Sequence, residues 1–403
     1  MLKMLVLSIV SVALPFNSIA DVSSTASPRS PYVDAVKSLP SVPTSDRSAG
    51  QRNAITLSQV GRYGDAELAF NTAMSLFKFS PSLVSDAQLE KLSAVEGIAA
   101  VLQEAGKRKL VILNEGHHMP LHRAFVQKLL PQLYRLGYRY LACETFAPDV
   151  RAEVTEQEVS FRAGVYLADP VFAELTREAK ASGWTLVPYE AQRDDIGTPS
   201  DRAAVREQRQ AENLAKVFTA DPDARVVVLA GFSHAHRFSS KTLNGETLKS
   251  MASHIADVPG LNPLVVDQVL FSGPVDAGNA GGLRAKLLKH FARTTADPFT
   301  IVSETGEFFT VGAFPKSVDI QIMHPVYPLK DGRPSWLQSL AGRQPLSPPG
   351  AGKPAAKDHL ILARRQGTKR DSVPADAVLV KAGEPVPMLM VPAGRFDVEV
   401  VEY

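Results

Sequence analysis

"KLVILNEGHHMPLHRAFVQKLLPQLYRLGYRYLACET", residues 109–145, decides the fold. An apolar run ends at Asn114-Glu115, a turn with Gly116, His117 and His118 follows, and a second apolar run closes on Glu144. Between the runs lies an amphipathic segment of helix length that begins at Pro120. Proline is tolerated in the first turn of a helix, so the helix is expected to start near Pro120 and to leave both histidines in the loop before it. The unit reads strand, helix, strand, and a crossover helix is what joins two parallel strands.

The alternation continues to about residue 325, with β-branched runs at "TLVPYE", "RVVVLAGF", "NPLVVDQVLF", "FTIVSE" and "DIQIMHP". Segments such as "DRAAVREQRQAENLAKVFTA" supply helices between them. The pattern predicts an α/β fold over residues 106–342, a mostly parallel sheet with helices on both faces. Ahead of it, residues 51–105 place apolar positions at three and four spacing and predict a helical segment. Its "DAELAFNTAMSLFKF" faintly suggests a tetratricopeptide helix, but no second copy follows at a fixed period. Residues 343–358 read as a Pro/Gly/Ala linker, and residues 359–403 as a small β appendage.

The chain opens "MLKMLVLSIVSVALPFNSIADVSS", which reads as a secretory signal peptide over residues 1–20, followed by a disordered leader over 21–50. The expected location is therefore periplasmic or secreted. The opening apolar run falls short of the ~20 residues a span needs and no later run reaches that length, so no integral membrane segment is expected in the mature chain. Cys143 is the single cysteine, which excludes an internal disulfide. With 44 Lys and Arg against 42 Asp and Glu the charge is too balanced for a polyanion surface, so the expected partner is a small-molecule or peptide substrate and not nucleic acid.

In open α/β sheets ligands bind beyond the carboxyl ends of the strands. Polar residues collect at those ends: Glu115 with His117 and His118, then Glu144, Glu190, His234 and His236. Converging carboxylates and imidazoles suit a divalent metal or general acid/base chemistry. His118 and His122 are four apart, as in a helical zinc motif, but Pro120 between them and the lack of a following Glu argue against it. His122 reads as part of a polar helix face, and Cys143, pointing opposite to Glu144 by strand alternation, as a core thiol. A carboxylate closing an apolar strand costs free energy unless it is paired, with Arg123 or Arg206, or does chemistry. Arg206 and Arg209 are either solvated or, if their helix lines the crevice, hold an anionic group.

Four pieces together resemble the erythromycin esterase-like and ChaN-like proteins, a superfamily that includes the Tiki proteases: "VILNEGHH", "GYRYLACET", "REQRQAENLAKVF" and "RVVVLAGFSH". By position the resemblance implies functional roles for Glu115, Glu144, Arg206 and His234. The esterase spacing selects His118 and the ChaN-like spacing His117, so the loop histidine stays open. Asn114 stands where the family has glycine, and Gln210 where it has methionine. The resemblance implies hydrolysis of an ester, lactone or amide bond. His118 is then base or metal ligand, Glu115 and Glu144 orient it or share the metal with His234, and Arg206 stabilises negative charge. The implied metal set is Glu115, His118, Glu144 and His234, holding zinc, manganese or iron. The alternative is a haem- or metal-binding envelope protein serving iron uptake without catalysis, with His117 and His236 toward the cofactor.

Overall fold

The structure, a computed structural model, describes residues 30–74, 84–192, 202–241, 247–273, 278–291, 297–311 and 316–402. The expected signal peptide and the first part of the expected leader lie outside them. Eight strands form the central sheet: β1 (Leu92–Glu96), β2 (Leu110–Glu115), β3 (Tyr140–Cys143), β4 (Thr185–Pro188), β5 (Val226–Gly231), β6 (Leu264–Phe271), β7 (Phe299–Ser303) and β8 (Ile320–Met323). Their spatial order is β1-β7-β8-β6-β2-β5-β3-β4. The six from β8 to β4 run parallel, while β7 is antiparallel to both β8 and β1. This is the expected α/β architecture with a two-strand antiparallel margin.

Every residue of β2 and β5 is buried, as a strand covered on both faces must be. On one face Val111, Leu113, Leu141 and Cys143 pack with Phe125, Leu129, Phe172 and Leu175 from the helices Pro120–Arg135 and Pro170–Ala181. On the other, Ile112, Ala142 and Val228 meet Ala211, Leu214, Met251 and Ile255 from the helices Arg202–Ala220 and Met251–Ala256. Cys143 is thus a fully buried core thiol, and burial pushes it well above its ordinary value.

Three boundaries differ from the sequence reading. The leader expected to be disordered contains a helix, Pro31–Lys37, whose Tyr32, Val33 and Val36 pack with Leu360, Leu362 and Leu379; the apolar pattern was too short for periodicity to show. Within the helical segment, "LSAVE" is β1, because Glu96 turns its carboxylate onto the backbone N–H groups of Ile98 and Ala99 and starts a new helix there. The linker is in part a strand, Gln344–Leu346, paired with Leu389–Val391.

At the C-terminus, His359–Arg365 runs between Asp376–Val380 and Phe396–Glu402 as a small antiparallel sheet. Two buried arginines tie this part to the rest. Arg333 grips Asp376 at 2.9 and 3.1 Å, and Arg343 donates to the carbonyls of Ala375, Met390 and Pro170. The helices Arg47–Gln59 and Tyr63–Ala73 pack closely, since a Cβ on Gly50 would lie 2.2 Å from that of Ala73. No helix among the described residues is long and apolar enough to cross a membrane.

Candidate functional site

Register brings the strand ends together. Glu115 of β2 pairs with Gly231 of β5, and Cys143 of β3 with Leu229, so Glu144 projects beside the β5 terminus. Its backbone N–H still bonds Leu229 O, at 3.0 Å. Glu144 falls on the same face of the sheet as Ala142 and so turns toward the Arg202–Ala220 helix, which carries Arg206.

Two arginine-centred frames meet there. In the first, Arg123 donates to Glu115 from Nε (2.7 Å) and Nη2 (3.0 Å), to Asp169 (2.7 Å) and to the His117 carbonyl. In the second, Arg206 donates to Glu144 (2.7 Å), to both oxygens of Glu190 and to Nε2 of His234 (2.9 Å). A guanidinium only donates, so Nε2 of His234 carries a lone pair and Nδ1 the proton, which goes to Glu207 at 2.6 Å. Glu207 also accepts from the Met251 N–H, and Gln210 donates to Glu190.

His117 bridges the frames. Its Nδ1 donates to Glu115 Oε1 at 2.9 Å, while Nε2 is buried without a hydrogen-bond partner among the described residues, 3.9 Å from Glu144 Oε1. Tyr166 stacks on the ring at a centroid distance of 4.0 Å and Phe232 meets it edge-on at 5.3 Å. The approach is close enough to require Gly231, whose added Cβ would stand 2.5 Å from Nε2 and 2.9 Å from Glu144 Oε2. The next residue, Phe232, has φ +40°, the left-handed region that non-glycine residues seldom adopt, and such strain clusters at functional sites.

Burial alone would raise both carboxyls. At Glu144 it is outweighed by the Arg206 charge and the Gly231 N–H, which hold the group well below its ordinary value of 4.5. At Glu115 the Arg123 charge and the His117 hydrogen bond likewise win. Downward shifts mean that the ionised carboxylates stabilise the fold fully above pH 4.5 and lose that contribution as pH falls through the folded values. Urea unfolding is therefore expected to show a midpoint that drops between pH 5 and pH 3, with a shallower drop in a Glu115→Gln/Glu144→Gln double variant. Equal slopes in the two proteins would refute the assignment.

The predicted residues do not all converge. Glu115, Glu144, Arg206 and His234 form the centre, and of the two loop histidines it is His117 that joins them. His118 stacks on Phe70 at 3.9 Å and makes no hydrogen bond to the carboxylates among the described residues, while burial lowers it to about 3. Arg206, expected to meet developing negative charge, directs its hydrogen bonds to Glu190, Glu144 and His234. Arg209, three residues on, is exposed and pairs with Glu212. His122 is fully buried and not on a polar face; it accepts from the Gly116 N–H and donates to Ser272, fixing the loop. Asn114 ties β2 to β6 through Asp267 (2.6 Å) and the Gln268 N–H, with His236 3.2 Å away in this second cluster. Glu207, Tyr166 and Asp169 escaped the sequence reading, in which Gln210 was only a departure from the family motif; the acidic neighbour of Arg206 was the only local signal among the three.

The set proposed for a metal does not fit a cation. Each of its carboxylates already faces a guanidinium, His118 stands apart, and no group of three or more His, Cys, Asp or Glu among the described residues is arranged to hold a metal ion. Haem fits no better, since His117 lies under Tyr166 and His236 belongs to the other cluster.

No family model matches the chain, and no curated protein is significantly similar to it. Among solved structures, RRSP, a MARTX toxin effector domain from Vibrio vulnificus CMCP6, is 17% identical with a TM-score of 0.31, over 69% of this chain and 48% of that one. The type III effector HopBA1 is 17% identical with a TM-score of 0.31, over 47% of this chain and 93% of that one. The C-terminal region of Pasteurella multocida toxin, described with a thiol-protease-like catalytic triad, is 12% identical with a TM-score of 0.32, over 80% of this chain and 36% of that one. The chain thus spans about half the length of the RRSP chain. Likeness at this level assigns neither family nor activity.

Proposed function

We propose that the crevice hydrolyses an ester, lactone or amide bond with His117 as general base. The observation that carries this is the state of that ring. Glu115 accepts from Nδ1, and Nε2 is buried without a hydrogen-bond partner among the described residues, 3.9 Å from Glu144. A carboxylate that fixes the tautomer and a free opposite nitrogen are what proton abstraction from water requires. Glu144 would accept the second hydrogen of that water and orient it. Arg206, Glu190 and Glu207 are then positioning residues. The four motif resemblances support the same reading, and with it membership of the erythromycin esterase/ChaN-like superfamily. The opening sequence supports export.

The test is a panel of p-nitrophenyl acetate, p-nitrophenyl butyrate, an acyl-homoserine lactone and a peptide anilide. His117→Ala is expected to lower kcat by about 10²–10⁴, and His118→Ala to retain most of it. Turnover by His117→Ala equal to the parent, or none by the parent on the whole panel, would overturn the proposal.

A further inference from the structure

At the strand ends His117, His118 and His234 are buried, while the His236 side chain is 28% exposed. His236 follows the turn Phe232–Ala235 at the carboxyl end of β5, and its backbone N–H bonds the Ser233 carbonyl at 3.0 Å. Its Nε2 faces inward, 3.2 Å from the Asn114 amide nitrogen and 3.5 Å from Asp267 Oδ1. The opposite nitrogen, Nδ1, makes no hydrogen bond among the described residues and, unlike Nε2 of His117, is not buried.

Asp267, on β6, is fully buried and accepts from the Asn114 amide (2.6 Å), the Gln321 amide (3.0 Å) and the Val269 N–H (3.0 Å). Burial opposes its charge, yet the His236 ring, Asn114 and Gln321 hold the carboxyl well below its ordinary value of 3.8. An ionised carboxylate beside Nε2 favours a proton there and stabilises the imidazolium, which leaves an N–H at Nδ1 for whatever enters from solvent.

Register sets this pair beside the His117 centre. Asn114 lies opposite Ala230, Asp267 follows the Val266 that pairs with Leu113, and Glu144 follows the Cys143 that pairs with Leu229. Asp267, Asn114, Ala230 and Glu144 therefore form one row across β6, β2, β5 and β3, on one face at the carboxyl edge. Asn114, which the His236 ring touches, stands two strand spacings or roughly 10 Å from Glu144. That is the order of separation, about 6.5–9.5 Å in inverting glycosidases, at which an acid and a base leave room for a scissile bond and its water. Phe232 joins the two groups, its carbonyl 3.4 Å from the Asn114 amide and its ring edge-on to His117. A departing oxygen or nitrogen needs a proton, and Arg123 and Arg206 already spend their donors on acids, on a carbonyl and on His234.

We propose that His236, oriented by Asp267, is the general acid that protonates the leaving group. This rests on the hydrolytic reading of His117. His117 takes a proton from water through Nε2, and the oxygen of that water bonds to the carbonyl carbon. As the bond from that carbon to the leaving atom breaks, its electron pair goes to the leaving atom and the Nδ1 proton of His236 follows. Solvent returns a proton from His117 to His236, so one water is consumed and both rings are restored.

The experiment takes the acyl group that the parent hydrolyses fastest and compares its p-nitrophenyl ester with its benzyl ester. A p-nitrophenolate departs without a proton, whereas a benzyl alkoxide does not. His236→Ala is expected to lower kcat/KM for the benzyl ester about 10²-fold and for the p-nitrophenyl ester far less, while His117→Ala lowers both alike. Asp267→Asn is expected to show the same selectivity more weakly. Equal losses on the two esters in His236→Ala would mark a structural role and overturn the proposal, as would no loss on either, and both outcomes leave the role of His117 standing. A parent that hydrolyses nothing sinks the hydrolytic reading and the general acid with it.

Discussion

Replacing Arg206 with methionine is expected to lower the stability of the folded chain by about 3–5 kcal/mol, the usual cost of breaking a buried ion pair from one side. The substitution removes the cation that faces Glu144 and Glu190 and the donor to His234, all of them buried or nearly so. Two carboxylates would then share a dry site without compensation, and one of them must take up a proton. Lysine is not a conservative replacement, because an ammonium on a flexible stem cannot serve Glu190 through two nitrogens while also reaching Glu144 and His234. The check is chemical denaturation of Arg206→Met beside Arg206→Met/Glu144→Gln/Glu190→Gln. If the frame is electrostatic, neutralising both acids restores a large part of the loss. A triple variant no more stable than the single would show that packing of the guanidinium stem carries the effect.

Gly231→Ala is expected to strike the His117 centre directly with a single added carbon. The new methyl would stand 2.4 Å from Cε1 of His117, 2.5 Å from its Nε2 and 2.9 Å from Glu144 Oε2. No real contact is that short, so the imidazole has to leave or the end of β5 has to shift. Overpacking a buried site of this kind costs about 1–3 kcal/mol. Activity should suffer more than stability, because the general base is the group displaced. A variant that keeps both the parent's unfolding midpoint and the His117 imidazole resonances would contradict the placement of that ring.

"LVILNE", "VVVLAG" and "LVVDQVLF" announced buried parallel strands, and Pro120 announced where its helix begins, because both depend on contacts within a few residues. The strand-end acids Glu115, Glu144 and Glu190 were legible for the same reason. Residues 31–37 were misread as disordered, since their helix is held by a C-terminal strand more than 300 positions away. The split between Arg206, buried, and Arg209, exposed, was likewise hidden. Both lie on one amphipathic helix, and only its packing against the end of β3 selects one.

By itself the sequence determined the α/β class and the edge of the sheet where charge collects, because strand and helix periods and the polar strand ends are local properties of the chain. Tertiary structure alone decided that His117 rather than His118 enters that centre, that Arg123 serves Glu115 while Arg206 serves Glu144, and that Glu207 orients His234. Neighbouring histidines in a loop are equivalent until something distant fixes their side chains. Here the distant elements are Tyr166 over His117 and Phe70 over His118, brought together by burial that no local pattern encodes.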